Sequence, residues 1–345
     1  MIPSSWRLRG DAVPALWRGL LVAAPVGIAA LVELELKTPS TGAITVGASI
    51  TGFVAFDAAA RTRFWWQLGI APLIGVAAAL GALTGDSAVL AVTTMALCAG
   101  LGAMSRAISP RAAIAAINCV LTLLIAQGLS LEVHDTPRIL ALGAAGALAQ
   151  AILSLVVALT QGGVERPHPL AGLRSAVPAV RANLNLSSPV MRHALRSAGA
   201  LAAAVGAYHI VDFGIHGYWI PLTVLFVLTS DRAQTYERIW MRAAGTAVGL
   251  AVATGLAVVI DHHTAANVAL LTVAAAAAYA MLRLEYALFT FAITIYIVTI
   301  SHAMGESAVD AVGERALGTA IGIGIVILAF RIWRDRPATA STAPT

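Results

Sequence analysis

The chain alternates long apolar blocks with short polar punctuation, and twelve blocks stand out. In the first half they are Pro14 to Val32, Gly42 to Phe56, Trp65 to Leu83, Ala88 to Met104, Ala112 to Leu129 and Ile139 to Thr160. In the second half they are His193 to Val211, Tyr218 to Thr229, Trp240 to Ile260, Ala265 to Leu282, Tyr286 to His302 and Ala316 to Trp333. About 20 apolar residues in a helix cross a hydrocarbon core of about 30 Å. The pattern therefore predicts an all-α integral membrane protein of about twelve transmembrane helices, arranged as two six-helix units over 1–160 and 193–336. The stretch 161–192 between them is rich in proline and arginine and reads as a cytoplasmic connector with room for one short amphipathic helix. The tail 337–345 reads as disordered.

Composition sharpens this picture. Hydrophobic residues make up 59% of the 345 positions and charged residues only 11%, against about 25% charged in soluble domains. The formal charge of +5 does not point to nucleic acid, because the cations stand singly between apolar blocks and form no stripe. Cys98 and Cys119 lie inside apolar segments, without the spacing of a disulfide framework or a zinc site. Arg7, Arg9 and Arg18 flank the first apolar block as in a signal peptide. A charged loop follows with no small-residue cleavage site, so a retained first helix is expected.

With a cytoplasmic N-terminus, the inner loops take 19 of the 22 basic residues and the outer loops keep Lys37, Arg138 and Arg315. This is a strong positive-inside pattern. It places both termini in the cytoplasm and the chain in a bacterial inner membrane, with the lipid bilayer as its first partner.

The two halves also echo each other. Ala-Met-x-Arg occurs at Ala103 to Arg106 and again at Ala280 to Arg283, 177 positions later, and the same shift carries Arg61 to Arg238, Gly128 to Gly305 and Arg138 to Arg315. A tandem duplication explains this. Two units with an even number of helices enter the membrane the same way round, so a pseudo-two-fold axis along the membrane normal is expected, with any passage at their interface.

The second unit carries Tyr218-Trp219-Ile220-Pro221-Leu222-Thr223-Val224, then Asp231 and Arg238, then Arg242-x-x-Gly245-Thr246-x-x-Gly249. This resembles the fusaric acid resistance and aromatic acid exporter family, whose membrane module has a YW-x-x-LTV helix followed by an R-x-x-GT-x-x-G helix. The first unit departs from the pattern, with Thr41-Gly42 in place of Tyr-Trp and Trp66-x-x-Gly69-Ile70 in place of Arg-x-x-Gly-Thr. Longer family members carry a sizeable cytoplasmic domain between the halves, which the short connector does not supply. There is also a distant similarity to the plant aluminium-activated malate transporters, which look like one six-helix unit used as a dimer. The resemblance implies export of organic anions, often aromatic carboxylates.

The candidate binding residues are the paired arginines. Arg61 with Arg238 and Arg106 with Arg283 would place four cations at the inner end of the interface, and Arg138 with Arg315 two at the outer end. A guanidinium fork matches a carboxylate. The inner arginines also set topology, so they serve either role. Arg138 and Arg315 lie on the sparse side, where topology does not explain them; Asp135 and Glu314 are candidate partners. The second helix of each unit is short, and Pro221 interrupts that of the second, which in transporters marks the substrate site; close packing through small residues is the alternative. Tyr218 and Trp219 either stack on an aromatic acid or anchor the helix at the interface. His209 and Asp212, within one helical turn, are candidates for proton coupling or an ordinary loop edge.

Asp261-His262-His263 reads as an outer loop and not a metal site. No phosphate-binding loop, nucleophile elbow or HExxH is present, so neither a nucleotide cofactor nor an enzyme is expected. A passive anion channel and a non-transporting scaffold subunit remain as alternatives. A second copy of the chain and an accessory periplasmic protein are the further partners to consider.

Overall fold

The computed structural model describes residues 12–36, 42–129, 133–161, 169–210, 217–260, 263–303 and 308–332. Within them the chain forms thirteen α-helices and no strand. The first set is α1 (Ala12–Leu36), α2 (Gly42–Gly52), α3 (Ala60–Thr84), α4 (Ala88–Met104), α5 (Pro110–Gly128) and α6 (Thr136–Thr160). The amphipathic α7 (Pro169–Ala182) lies in the connector. The second set is α8 (Pro189–Ile210), α9 (Trp219–Val227), α10 (Arg232–Ile260), α11 (Thr264–Leu284), α12 (Tyr286–Ala303) and α13 (Ala308–Ile332). Each expected apolar block has its helix.

Not all of them are full crossings. Among the described residues eight helices are long and apolar enough to span a membrane: α1, α3, α4, α5, α6, α10, α11 and α13. With 11 and 9 residues, α2 and α9 reach only about 16 and 14 Å at 1.5 Å per residue. The chain bends after the C-terminal end of each of these short helices. After α2 it turns through residues 53–57, with Ala55 in the left-handed region at φ 52°, a conformation uncommon for a residue with a Cβ. After α9, Leu228 is extended and the chain re-enters a helix at once. There Asp231 Oδ1 accepts from the Gln234 amide at 2.9 Å and caps the start of α10. The Asp231 of the motif is thus a helix cap. Pro221 sits in the first turn of α9, where the missing N–H is one that no helical carbonyl would have accepted. It does not interrupt that helix as the sequence suggests.

Inside a bilayer, apolar side chains gain little by leaving lipid, so packing rests on small residues and interhelical hydrogen bonds. The core is accordingly dominated by alanine, with Ala23, Ala48, Ala91, Ala147, Ala204 and Ala278 fully buried. Large side chains such as Leu97, Ile152, Trp240 and Val258 stand exposed on the outer surface, where lipid would cover them. Gln150 of α6 donates to Val22 O at 2.8 Å and Ala48 O at 3.0 Å, which ties three helices of the first set together.

The two sets meet along two seams. In one, α1 packs on α11; in the other, α4 packs on α8. Between the seams α2 and α5 of the first set face α9, α11 and α12 of the second. Tyr279 bridges this space, its hydroxyl donating to Ser49 O at 2.7 Å. A Cβ on Gly52 would lie 2.5 Å from the Tyr279 ring, so a glycine is required for α2 to approach so closely.

Candidate functional site: cavities between the two helix sets

Three adjoining cavities, which share lining residues, lie in the space between the seams. The largest, about 470 Å³, is lined by Phe53, Ile117, Asn118, Phe226, Arg238 and Leu282. Phe53 and Phe226 also line a second cavity of about 70 Å³, deeper between the sets, with Ser49, Tyr279 and Tyr296. Ile117 and Leu225 are shared with a side pocket of about 60 Å³ that holds Arg106, His193 and Ser197. The order is therefore a basic chamber, a phenylalanine constriction and a small aromatic chamber. Phe289 backs the constriction, its ring centroid 6.0 Å from that of Phe53 and 5.6 Å from that of Phe226.

Arg238 is half-buried in the wall of the large chamber. Its guanidinium donates through Nη1 to Phe226 O at 3.2 Å and lies 5.2 Å from the Tyr286 ring centroid. The carbonyl of Phe226 is freed by the early end of α9, so the short helix both positions the arginine and opens the chamber. Tyr286 donates to the same carbonyl at 3.2 Å. At the foot of the chamber the turn between α11 and α12 buries Glu285, whose carboxyl is held above the usual carboxylate range by burial, with Glu237 adding repulsion and the Ala287 amide partly offsetting both.

The expected arginine quartet is partly gathered. Arg106 and Arg238 line adjoining cavities. The backbone of Arg283 follows Leu282 of the chamber wall in α11, and its side chain lies outside the described residues. Arg61 is exposed on the first turn of α3. The neighbouring Arg63 is the buried one, its Nε donating at 3.0 Å to Ser154, which in turn donates to Gln67. The pair Arg138 and Arg315 is not equivalent. Arg138 is exposed at the start of α6, whereas Arg315 is 1% exposed within α13 and so belongs to no outer loop. Arg315 stacks 4.1 Å from the Trp219 ring and donates to Thr294 Oγ1 at 3.2 Å. Trp219 and Pro221 are buried, and Tyr218 is half-buried against Gly128, so these aromatics pack inside the protein instead of lying at the lipid interface. His209 stacks on Tyr208 with ring centroids 4.2 Å apart. Asp212, Asp261 and His262 lie outside the described residues.

Three further arginines are buried in helices: Arg63, Arg196 and Arg242. The signal for Arg242 is its spacing. Arg242, Gly245, Thr246 and Gly249 share one helical face, the face of α10 that α12 packs against.

Residues 197–329 match the family described as fusaric acid resistance protein-like. The match falls within the second helix set, from α8 to α13. Among curated relatives, an uncharacterized protein (ORF2) of Neisseria gonorrhoeae is 33% identical over 159 residues, 46% of this chain and 37% of that protein. An uncharacterized protein (slr1298) of Synechocystis is 32% identical over 44% of this chain and 20% of its own length. The inner membrane protein YccS of Escherichia coli is 31% identical over 43% of this chain and 20% of its own length. The matches therefore cover little more than a third, at most, of these relatives. No solved structure matches the chain. The fusaric acid resistance-like region holds Trp219, Arg238, Arg242, Tyr279 and Arg315, and so one wall of every cavity described above.

Proposed function

We propose that the chain is an inner-membrane transporter that exports small organic anions, aromatic carboxylates foremost, through the space between its two helix sets. The observation that carries this reading is the series of adjoining cavities at that place, with Arg238 in the wide one, Arg106 in the side pocket beside it and aromatic rings in the third. The cations attract the carboxylate, and Phe53, Phe226, Tyr279 and Tyr296 offer faces to an aromatic ring. YccS, a relative in part of its length, is described as an inner membrane protein, which supports the location.

The passage lies between two equivalent six-helix units in this reading. Supporting it, α1 and α8 begin 177 positions apart, as do α2 and α9. The seam of α1 with α11 also corresponds to that of α8 with α4 when the units are exchanged. The short α2 and α9 then stand at matching places beside the passage, as interrupted helices do in transporters. With the arginine-rich loops in the cytoplasm, the large chamber opens inward.

The test is uptake of benzoate into inside-out vesicles carrying the chain. A proton-driven exporter accumulates benzoate above equilibrium when a proton gradient is imposed and loses it with an uncoupler. A channel of the same architecture only equilibrates it. Vesicles no more permeable than empty ones would remove the transport reading and leave a scaffold.

A further inference from the structure

Beside the passage, the second helix set buries two positive charges with no negative partner. Arg242 of α10 and Arg315 of α13 are each 1% exposed and near enough to repel each other. Arginine does not shed its proton in proteins, so both charges persist. Neither has an acidic side chain within ion-pair distance among the described residues. Arg242 lies 5.6 Å from the Phe226 ring and Arg315 4.1 Å from the Trp219 ring, and such contacts offset only part of the cost of burying a cation. The Nε and Nη1 groups of both arginines are buried and donate to nothing among the described residues.

The groups around them are hydroxyls and aromatic rings: Thr294 accepts from Arg315, and the Tyr286 hydroxyl is a partner of Arg242. Trp219, Thr223 and Phe226 lie on one face of α9, so the two guanidinium groups sit toward opposite ends of that face with Thr223 between them. The Thr223 and Thr246 hydroxyls are also buried without a partner. The helices around them are in close contact: a Cβ on Gly249 would lie 2.8 Å from Thr294, and one on Gly322 2.7 Å from Thr223. Space between them is narrow. These hydroxyls leave Nε and Nη1 of both arginines without an acceptor, and a small anion supplies one while cancelling the mutual repulsion.

We propose that Arg242 and Arg315 hold a small monovalent anion, a halide or the carboxylate group of an organic acid, inside the second helix set at a site separate from the passage. The anion accepts from the free Nε and Nη1 groups and locks α9, α10, α12 and α13 together. The site stands whether or not the passage conducts.

The experiment uses the full chain in lipid nanodiscs, melted in sulfate buffer at constant ionic strength against rising bromide or 4-bromobenzoate. A saturable rise in Tm is expected from at least one of the two, since a ligand of the folded state stabilises by mass action. Arg242→Gln and Arg315→Gln each raise the concentration for half the shift at least about tenfold, the loss of one charge-assisted interaction. Arg181→Gln, an exposed cation on α7, leaves it unchanged. Because the variants depend on folding, anomalous scattering from wild-type crystals soaked in each bromine-bearing anion locates the site directly. A peak between the two guanidinium groups upholds the proposal, and the soak that gives it tells halide from carboxylate. Maps without a peak there at concentrations that saturate the shift, or no shift at all, overturn it. Loss of benzoate transport in Arg238→Gln with the peak retained would separate the passage from this site.

Discussion

Replacing Arg238 by glutamine is expected to raise the benzoate concentration for half-maximal flux about tenfold and to leave the fold intact. In the structure the guanidinium is anchored by one bond to Phe226 O and keeps further N–H groups toward the chamber. A hydrogen bond to a charged group is worth about 1.5–3 kcal/mol net, and every 1.4 kcal/mol is a factor of about ten. Arg238 is only half-buried, so water and salt weaken its pull and the lower end applies. Arg238→Lys keeps the charge and loses the fork, and falls between wild type and glutamine. The assay is initial flux of radiolabelled benzoate into proteoliposomes at low and high ionic strength. The wild-type half-saturation rises with salt, and that of the glutamine variant rises less. Equal half-saturation in wild type and variant at both ionic strengths would refute the reasoning that this cation meets the substrate.

Two further outcomes follow from the packing and the buried carboxyl. Gly52→Val puts a side chain where Tyr279 already stands and is expected to cost about 1–3 kcal/mol as an overpacked contact, seen as a lowered midpoint in denaturant with flux reduced in the folded fraction. Burial raises the Glu285 carboxyl above its ordinary pKa, so the folded state favours its protonated form. Stability from this group is greatest below the unfolded value of 4.5 and declines as pH rises from there through the raised value. Glu285→Gln should flatten that decline, measured as Tm between pH 4 and 8, and an unchanged slope would contradict the assignment.

Hydrophobic periodicity made nearly all of the architecture legible, because a membrane helix must be apolar along its length, and every expected block proved helical. Where the reading failed, charge misled it. Arg63 stands just before the apolar run that starts at Trp65 and so resembles a loop residue, yet α3 begins earlier, at Ala60. Arg63 is affordable inside because Ser154 accepts from it, a residue 91 positions away that no local pattern reveals. Arg315 looked like the twin of Arg138, but Trp219 gives it an aromatic shelter that Gly42, at the matching position of the first set, does not offer. The chamber walls were equally hidden. Phe53, Asn118, Phe226 and Tyr279 come from four segments, and only the folded arrangement brings them together.

The central claim, that substrate passes between the two helix sets, is tested most directly by cysteine accessibility. In a background with Cys98→Ser and Cys119→Ser, Ile117→Cys places a thiol on the wall of the large chamber, and Ile152→Cys places one on the outer surface of α6. A charged, water-soluble methanethiosulfonate is expected to modify the first and block benzoate flux, with saturating benzoate protecting it, and to leave the second untouched. Equal reactivity at both positions, or modification of the first without effect on flux, would contradict the claim.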